Sequence, residues 1–225
     1  MSNEERPAKV ELAKPIATGA KLWLGMTLGR LLLVGIVAAV AIVGGFIGYK
    51  VLSLRSEAAK WSGPMKEIAE ESITHEGSVT TARFVSIIDA PIDKVQKAMW
   101  DVEDLQNMVS SNFKLSKLME AKGDTKLLDI QIQALTLPTF AYTMEFTLHP
   151  AEHRVTFKTI KSQAQDIEGN YQLDPSPDGT KTRLIYSTTS KDKVAVPFPQ
   201  SVLDGAGREV FVNTVRGLQK VVKQG

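Results

Sequence analysis

The feature that most constrains this chain is an apolar run of nineteen residues from Leu31 to Tyr49, LLLVGIVAAVAIVGGFIGY. As an α-helix rising about 1.5 Å per residue, the run is about 28 Å long, close to the roughly 30 Å of a bilayer's hydrocarbon core. Arg30 and Lys50 flank it, as expected of residues at a membrane interface. We therefore predict a single membrane-spanning anchor over residues 22–50, with its apolar core at 31–49.

The residues around this run indicate how the anchor is used. A signal peptide is disfavoured because the apolar run exceeds the usual length of about 7–15 residues and no A-x-A site follows it directly. Five basic residues precede the run, and only four, Lys50, Arg55, Lys60 and Lys66, follow it closely. This small excess favours a cytoplasmic N-terminus, which would place the rest of the chain on the non-cytoplasmic side.

Gly44 and Gly48 have the GxxxG spacing that allows two membrane helices to approach closely. The pair could support a homodimer or contact with a membrane-protein partner. Glycine is also common in membrane helices for other reasons, so the spacing leaves both interpretations open.

The chain beyond the apolar run is balanced in charge and free of cysteine. Residues 1–49 carry five basic and three acidic side chains, which leaves 22 of each in the rest of the chain. Such a balance lacks the concentrated basic face that binds nucleic acid. The absence of cysteine excludes disulfides, thiolate metal sites and a cysteine nucleophile. We expect a membrane and a small molecule as partners, and no nucleic acid.

Composition divides the soluble part into three segments. Residues 1–21 are charged and contain Pro7 and Pro15, which predicts a disordered N-terminal segment. Residues 51–77 mix charges with Gly63-Pro64 and are interpreted as a stalk. The pattern changes at Ser78, and residues 78–225 are predicted to form one ligand-binding domain.

Alternating apolar and polar residues predict that this domain is rich in β-strands. A strand over 78–89 is followed by a helix that begins after Pro91. Further strands are predicted at 113–120, 125–134, 139–148, 153–160, 165–174 and 181–190, and their short connections favour an antiparallel meander. A long helix after Pro197 carries one apolar stripe, which must cover the apolar face of the sheet. The prediction is an α+β fold with a curved seven-stranded antiparallel sheet wrapped on the C-terminal helix.

Several short motifs follow one another along residues 78–223. They are Ile88-Asp-Ala-Pro-Ile-Asp-Lys-Val95, Asp101 with Val102 and Leu105, Gly169-Asn-Tyr171-Gln-Leu173, Asp178-Gly-Thr180 and Pro197-Phe-Pro199. Their order resembles the helix-grip domains of the START-like superfamily, in the branch of coenzyme-Q-binding and polyketide cyclase/dehydrase-like proteins. The resemblance implies a cavity between the sheet and the C-terminal helix that holds a hydrophobic ligand.

Twelve apolar or aromatic side chains on the predicted inner surfaces are candidates for ligand contact. An apolar concave surface with a few tyrosine hydroxyl groups suits a hydrophobic ligand that has one or two polar groups. Ordinary core packing explains the same pattern for each residue taken singly. The twelve candidates are Phe84, Ile130, Ile132, Phe140, Tyr142, Met144, Phe157, Tyr171, Tyr186, Leu203, Val210 and Phe211.

The sequence offers no catalytic or metal-binding group with a convincing pattern. His75 lies in the predicted stalk, and His149 and His153 flank Pro150 in a predicted hairpin turn. A zinc site usually needs a third protein ligand, so a solvent-facing turn explains these histidines better. The predicted inner face offers hydroxyl groups but no His, Asp or Glu, and general acid–base chemistry needs a titratable group near its proton. We predict no catalytic residue, metal or cofactor.

These observations favour a membrane-anchored binding or carrier module for a lipid, quinone, sterol-like or polyketide-like molecule. Two alternatives remain. The domain could be a non-catalytic accessory or scaffold subunit of a membrane assembly, with its cavity filled by its own large side chains. It could also be a cyclase/aromatase-type enzyme that depends on tyrosines such as Tyr142 and Tyr186.

Overall fold

The computed structural model of the chain describes residue 61 and residues 67–109, 111–194 and 197–224. The predicted disordered segment, the predicted anchor, the Gly44/Gly48 pair and most of the predicted stalk lie outside the described residues. Within the described ranges, no helix is both long enough and apolar enough to cross a membrane. The described residues therefore bear on the predicted domain and on the end of the predicted stalk.

Eight antiparallel strands form one sheet. Their bounds are β1 Glu70–Glu76, β2 Val79–Ile88, β3 Phe113–Lys122, β4 Thr125–Ile132, β5 Phe140–His149, β6 Arg154–Ser162, β7 Gln165–Pro175 and β8 Thr182–Asp192. The spatial order is β1-β2-β8-β7-β6-β5-β4-β3. The six strands from β3 to β8 are a meander, as predicted, because each short turn returns the chain beside the strand it has just left. Two of those turns contain Gly123 and Gly179, whose φ angles are +57° and +70°.

The sheet has eight strands, whereas the sequence predicted seven. The additional strand is β1, which lies at the edge of the sheet and pairs with β2 from Glu70 opposite Val85 to Glu76 opposite Val79. Its sequence, EESITHE, contains one apolar residue, Ile73, and therefore lacks the alternation that identifies a half-buried strand. The end of the segment predicted as a stalk is consequently part of the domain.

Three α-helices lie within residues 67–224 of the described chain. They are α1 (Ile92–Trp100) and α2 (Leu105–Met108), which connect β2 to β3 at the opposite edge of the sheet, and α3 (Gln200–Gln224), which follows β8. Proline precedes α1 and α3, where its fixed φ suits the start of a helix and its missing N–H costs nothing. The carbonyl of Pro91 accepts a hydrogen bond from the amide of Val95 at 3.2 Å, and that of Pro199 from Val202 at 2.9 Å.

Two clusters of buried side chains form most of the core. One joins β2, β8 and α1 to the C-terminal half of α3, and it includes Phe84, Val95, Leu184 and Leu218. The other joins β4, β5 and β6 to the segment that contains α2, with Leu128 completely buried. Both clusters are therefore centred on the part of the sheet that α1 and α2 cover.

Candidate ligand cavity

A cavity of about 260 Å³ lies between the sheet and residues 200–214, the N-terminal half of α3. Its walls come from β1, β2, β4, β5, β7 and β8, from the loop between β4 and β5, and from the turn between β6 and β7. The strands contribute side chains from the inner face of the sheet, near the C-terminal end of β8, which the chain follows into α3. The hollow is thus located where neither α1 nor α2 contributes a lining residue.

Nine of the twelve predicted site residues line this cavity. On the strands, the alternation of side chains places them on one face; on α3, helical spacing does so. The nine are Phe84, Ile132, Phe140, Tyr142, Tyr171, Tyr186, Leu203, Val210 and Phe211.

The remaining three predicted residues, Ile130, Met144 and Phe157, do not line the cavity. They are at most 6% exposed and belong to the core cluster that includes Val102 and Leu105. They lie on the predicted inner face but under the segment that contains α2, which fills the space above them. Their position along the strand, and not the face they point to, separates them from the cavity.

An aromatic cluster forms one wall of the cavity. The ring of Phe84 lies 5.1 Å from that of Phe211, and the ring of Tyr171 lies 5.0 Å from that of Tyr186, within the range of favourable aromatic pairs. Phe157 supports this wall from the core side, with its ring 5.8 Å from that of Tyr186. Burial raises the pKa of Tyr171 and of Tyr186, so both phenols remain neutral at neutral pH.

A pair of polar side chains also lines the cavity. The side-chain amide of Gln165 donates a hydrogen bond to the hydroxyl oxygen of Tyr142 at 2.9 Å. Burial raises the pKa of Tyr142 to about 12, and the nearby Asp192 and Tyr186 add to the rise while the Gln165 hydrogen bond opposes it. Tyr142 therefore keeps its proton at neutral pH and can donate it in a hydrogen bond.

Two carboxylates line the cavity, although the predicted inner face contained none. They belong to Asp192, at the end of β8, and Asp204, on α3. Along β8 the lining residues alternate as Tyr186, Thr188, Ser190 and Asp192. The predicted strand ended at residue 190, so the same alternation extended by one step would have found Asp192.

Comparison with known proteins identifies the fold. No family model and no curated protein matches the sequence. Among solved structures, a Thermus thermophilus protein matches with a TM-score of 0.56 at 17% identity, over 64% of this chain and 97% of that one. The Zhui aromatase/cyclase of a Streptomyces species matches with a TM-score of 0.53 at 14% identity, over 65% of this chain and 93% of that one. A START superfamily protein of Mycobacterium smegmatis matches with a TM-score of 0.51 at 13% identity, over 64% of this chain and 97% of that one.

The domain has a START-like helix-grip fold. At these identities the likeness establishes the fold alone, and the chemistry of the cavity must be argued from its own residues.

The cavity of the helix-grip domain reaches the surface at Gly207 on α3. Gly207 both lines the cavity and is exposed, and a Cβ atom built on it would meet nothing within 4 Å. His75 on β1 spans the same region. Its Nε2 lies 3.3 Å from Oδ1 of Asp204, and its Nδ1 lies 3.0 Å from the hydroxyl of Thr80. A neutral imidazole that donates from Nε2 and accepts at Nδ1 satisfies both contacts.

Two ion pairs continue this contact along α3. Arg208 pairs with Glu71 at 2.5 Å, and Arg216 pairs with Glu67 at 2.7 Å. These side chains lie at the surface, where ion pairs add little to stability because water and salt screen the charges. Together with His75 and Asp204, the pairs align β1 and the residues before it beside α3, and β1 becomes the side wall of the opening.

The other two histidines are engaged elsewhere on the domain. His149 contacts the hydroxyl of Thr156 at 3.1 Å, and His153 contacts the side chain of Gln96 on α1 at 2.5 Å. Among the described residues, no group of three or more His, Asp or Glu side chains is arranged to hold a metal ion.

Proposed function

We propose that this chain is a membrane-anchored binding or carrier module for a hydrophobic small molecule, held between the sheet and α3. The observation that carries the proposal is the cavity of about 260 Å³, whose lining is dominated by aromatic and aliphatic side chains. Small-molecule sites in proteins have this character: mostly apolar walls with a few placed polar groups. Here those groups include Tyr142, Gln165 and Asp192.

The size of the cavity limits the ligand. A cavity of about 150 Å³ holds benzene, and most ligand pockets have about 300 Å³ or more. The hollow of about 260 Å³ therefore suits a compact ring system or the leading part of a longer lipid. Burial of about 300 Å² of apolar ligand surface would favour binding from water by roughly 7 kcal/mol. Transfer from lipid would gain far less, which permits exchange with a bilayer in both directions.

The proposed anchor at residues 31–49 would hold the domain beside its source of ligand. It contains nineteen residues without a charge, which is the length of a membrane span. Tethering raises the effective concentration of the cavity near the bilayer without any added contact. The excess of basic residues before the run supports a domain on the non-cytoplasmic side.

The cavity also bears on the alternatives. A scaffold whose hollow is filled by its own side chains disagrees with the open space that lies between α3 and the sheet. For a cyclase-type enzyme, Tyr142 would be a poor proton donor or acceptor at neutral pH, because its pKa is about 12. Binding without chemistry agrees best with the side chains present.

The experiment is extraction of small molecules from the full chain, purified with its native lipids, followed by mass spectrometry. We expect a bound apolar compound in a fixed ratio to protein. Gly207→Phe should reduce its amount about tenfold because the ring occupies the opening. The matched control is Ser201→Phe, which adds the same ring to an exposed position of α3 outside the cavity lining. Protein that carries no compound from any lipid source would refute the proposal.

A further inference from the structure

The charges around the cavity are all of one sign. Its lining includes the carboxylates of Asp192 and Asp204, but no lysine or arginine from the described part of the chain. Two basic residues flank Asp192 along the chain. Lys191 is exposed and lies outside the lining, as the alternation of side chains along β8 requires. Lys193 also lies outside the lining, with Nζ 2.6 Å from Oδ1 of Asp166 and 3.1 Å from the carbonyl of Ser162. Asp204 has the imidazole of His75 as a partner at 3.3 Å, whereas Asp192 forms no ion pair with the described residues. An anionic group in the cavity would therefore meet the negative charge of Asp192 without a compensating cation.

The hydrogen-bonding groups at the polar end are also complementary to a particular kind of ligand. The Tyr142 hydroxyl accepts from Gln165, which leaves its own proton available, since no described residue accepts it. The carboxylate of Asp192, which is paired in register with Gln165, receives no side-chain hydrogen bond from the described residues. The polar end thus offers a donor on Tyr142 and an acceptor on Asp192, beside the hydroxyl group of Ser190.

We propose that the cavity selects an amphiphile whose polar end is a hydroxyl or amino group, and that Asp192 excludes ligands with an anionic end. This inference rests on the proposed function and specifies its ligand. A hydroxyl group can accept from Tyr142 and donate to Asp192 at the same time, and an ammonium group gains the attraction of the carboxylate. A carboxylate end can accept from Tyr142, but the charge of Asp192 repels it in surroundings that screen charge poorly.

The test compares decanol, decylamine and decanoate, which share one alkyl chain and differ in their polar end. The full chain in phosphatidylcholine nanodiscs is incubated at neutral pH with an equimolar mixture of the three and repurified. Each compound is quantified by mass spectrometry per mole of protein, after subtraction of the amount held by empty nanodiscs. We expect decanol and decylamine to be retained about tenfold better than decanoate.

Two aspartate variants assign the preference to its residue. Asp192→Asn should raise the retention of decanoate several-fold and lower that of decylamine, whereas Asp192→Glu, which keeps the charge, should retain the preference of the parent chain. Asp166→Asn is the matched control, because it removes the same charge from an exposed neighbour of Gln165 outside the cavity lining.

The possible outcomes separate this inference from the function on which it rests. Equal retention of all three compounds, or a change that is the same in Asp192→Asn and Asp166→Asn, would overturn the inference and leave the binding function standing. Retention of none of them above empty nanodiscs would count against the proposed function itself, and the inference would fall with it.

Discussion

In its C-terminal half, α3 presents Val215 and Leu218, both completely buried, to a core filled from β2 and α1, whereas its N-terminal half presents Leu203 and Val210 to a cavity. The same sheet lies under both halves. The two halves differ in the other helices beside them. α1 and α2 lie beside residues 215–222, but neither contributes a residue to the cavity beside residues 200–214. Stability and ligand binding are thus assigned to different halves of one helix, here named the packed half (215–224) and the hollow half (200–214).

The surroundings of two glycines on α3 show the same difference between a packed and an open half. A Cβ atom added to Gly217 in the packed half would lie 2.6 Å from the carbonyl oxygen of Met108, so glycine is what permits α2 to approach α3. A Cβ atom added to Gly207 in the hollow half would meet nothing within 4 Å. The first glycine allows a close helix contact, and the second leaves an opening.

The largest expected effect comes from truncating one leucine in each half. Leu218→Ala should lower the free energy of unfolding by about 2–5 kcal/mol, because it removes a completely buried side chain from a filled core. Leu203→Ala should cost less than about 1 kcal/mol, since this side chain already borders empty space. Urea unfolding of the two variants measures the difference. Similar losses would mean that the halves are packed alike.

The next effect concerns the two glycines and should differ in sign. Gly217→Ala should destabilise the domain by about 1–3 kcal/mol, because the backbone of α2 must move away from the new methyl group. Gly207→Ala should stabilise it by roughly 0.5–1 kcal/mol through the higher helix propensity of alanine. Thermal unfolding of both variants beside the parent chain measures this. A destabilised Gly207→Ala variant would contradict the open space assigned to that position.

Alkaline pH should report on the tyrosine at the polar end of the hollow half. The pKa of Tyr142 rises from 10 in the unfolded chain to about 12 in the folded domain. Its contribution to stability is therefore complete below about pH 10 and is lost as pH rises towards 12, at up to about 1.4 kcal/mol per pH unit. Tyr142→Phe should make the decline in urea midpoint between about pH 10 and pH 11 less steep. Tyr171 and Tyr186, whose pKa values are also raised, and lysines that lose their ion pairs on deprotonation contribute to the decline that remains.

The smallest effect concerns the contact across the opening. His75→Ala should change the unfolding free energy by less than about 1 kcal/mol, because its contacts with Asp204 and Thr80 lie near the surface. It should nevertheless accelerate hydrogen exchange of the amides in β1, which loses one of its links to α3. Arg83→Gln is the control, since it breaks an ion pair with Glu70 on the sheet and leaves the links to α3 in place. Equal exchange in the two variants would show that His75 does not fasten β1.

Much of the fold could be predicted because the alternation of side chains persists over long strands. The strand predicted at 125–134 is observed at Thr125–Ile132, and that predicted at 165–174 at Gln165–Pro175. β1 could not be predicted in this way because an edge strand with both faces largely exposed needs no apolar face, and its pairing with β2 comes from backbone hydrogen bonds.

The site was only partly accessible to the same reasoning. Periodicity identifies only the face of a strand. It therefore predicted Met144 and Phe157 as ligand contacts together with Phe84 and Tyr142, because all four lie on the inner face. Whether such a residue meets a cavity or a packed core depends on where α1 and α2 lie, and that is a tertiary property. Asp192 was missed for a different reason: polar residues at the end of a strand resemble a turn, although their alternation continues the inner face.

The division of α3 has a consequence for how proteins with this architecture can diverge. Substitutions that alter the shape or polarity of the ligand site can fall on Leu203 and Gly207, which border open space and therefore carry little folding free energy. The completely buried Val215 and Leu218, which help to keep the domain folded, lie further along the same helix. New ligand preferences can therefore accumulate by drift in the first turns of one helix without each step threatening the integrity of the protein.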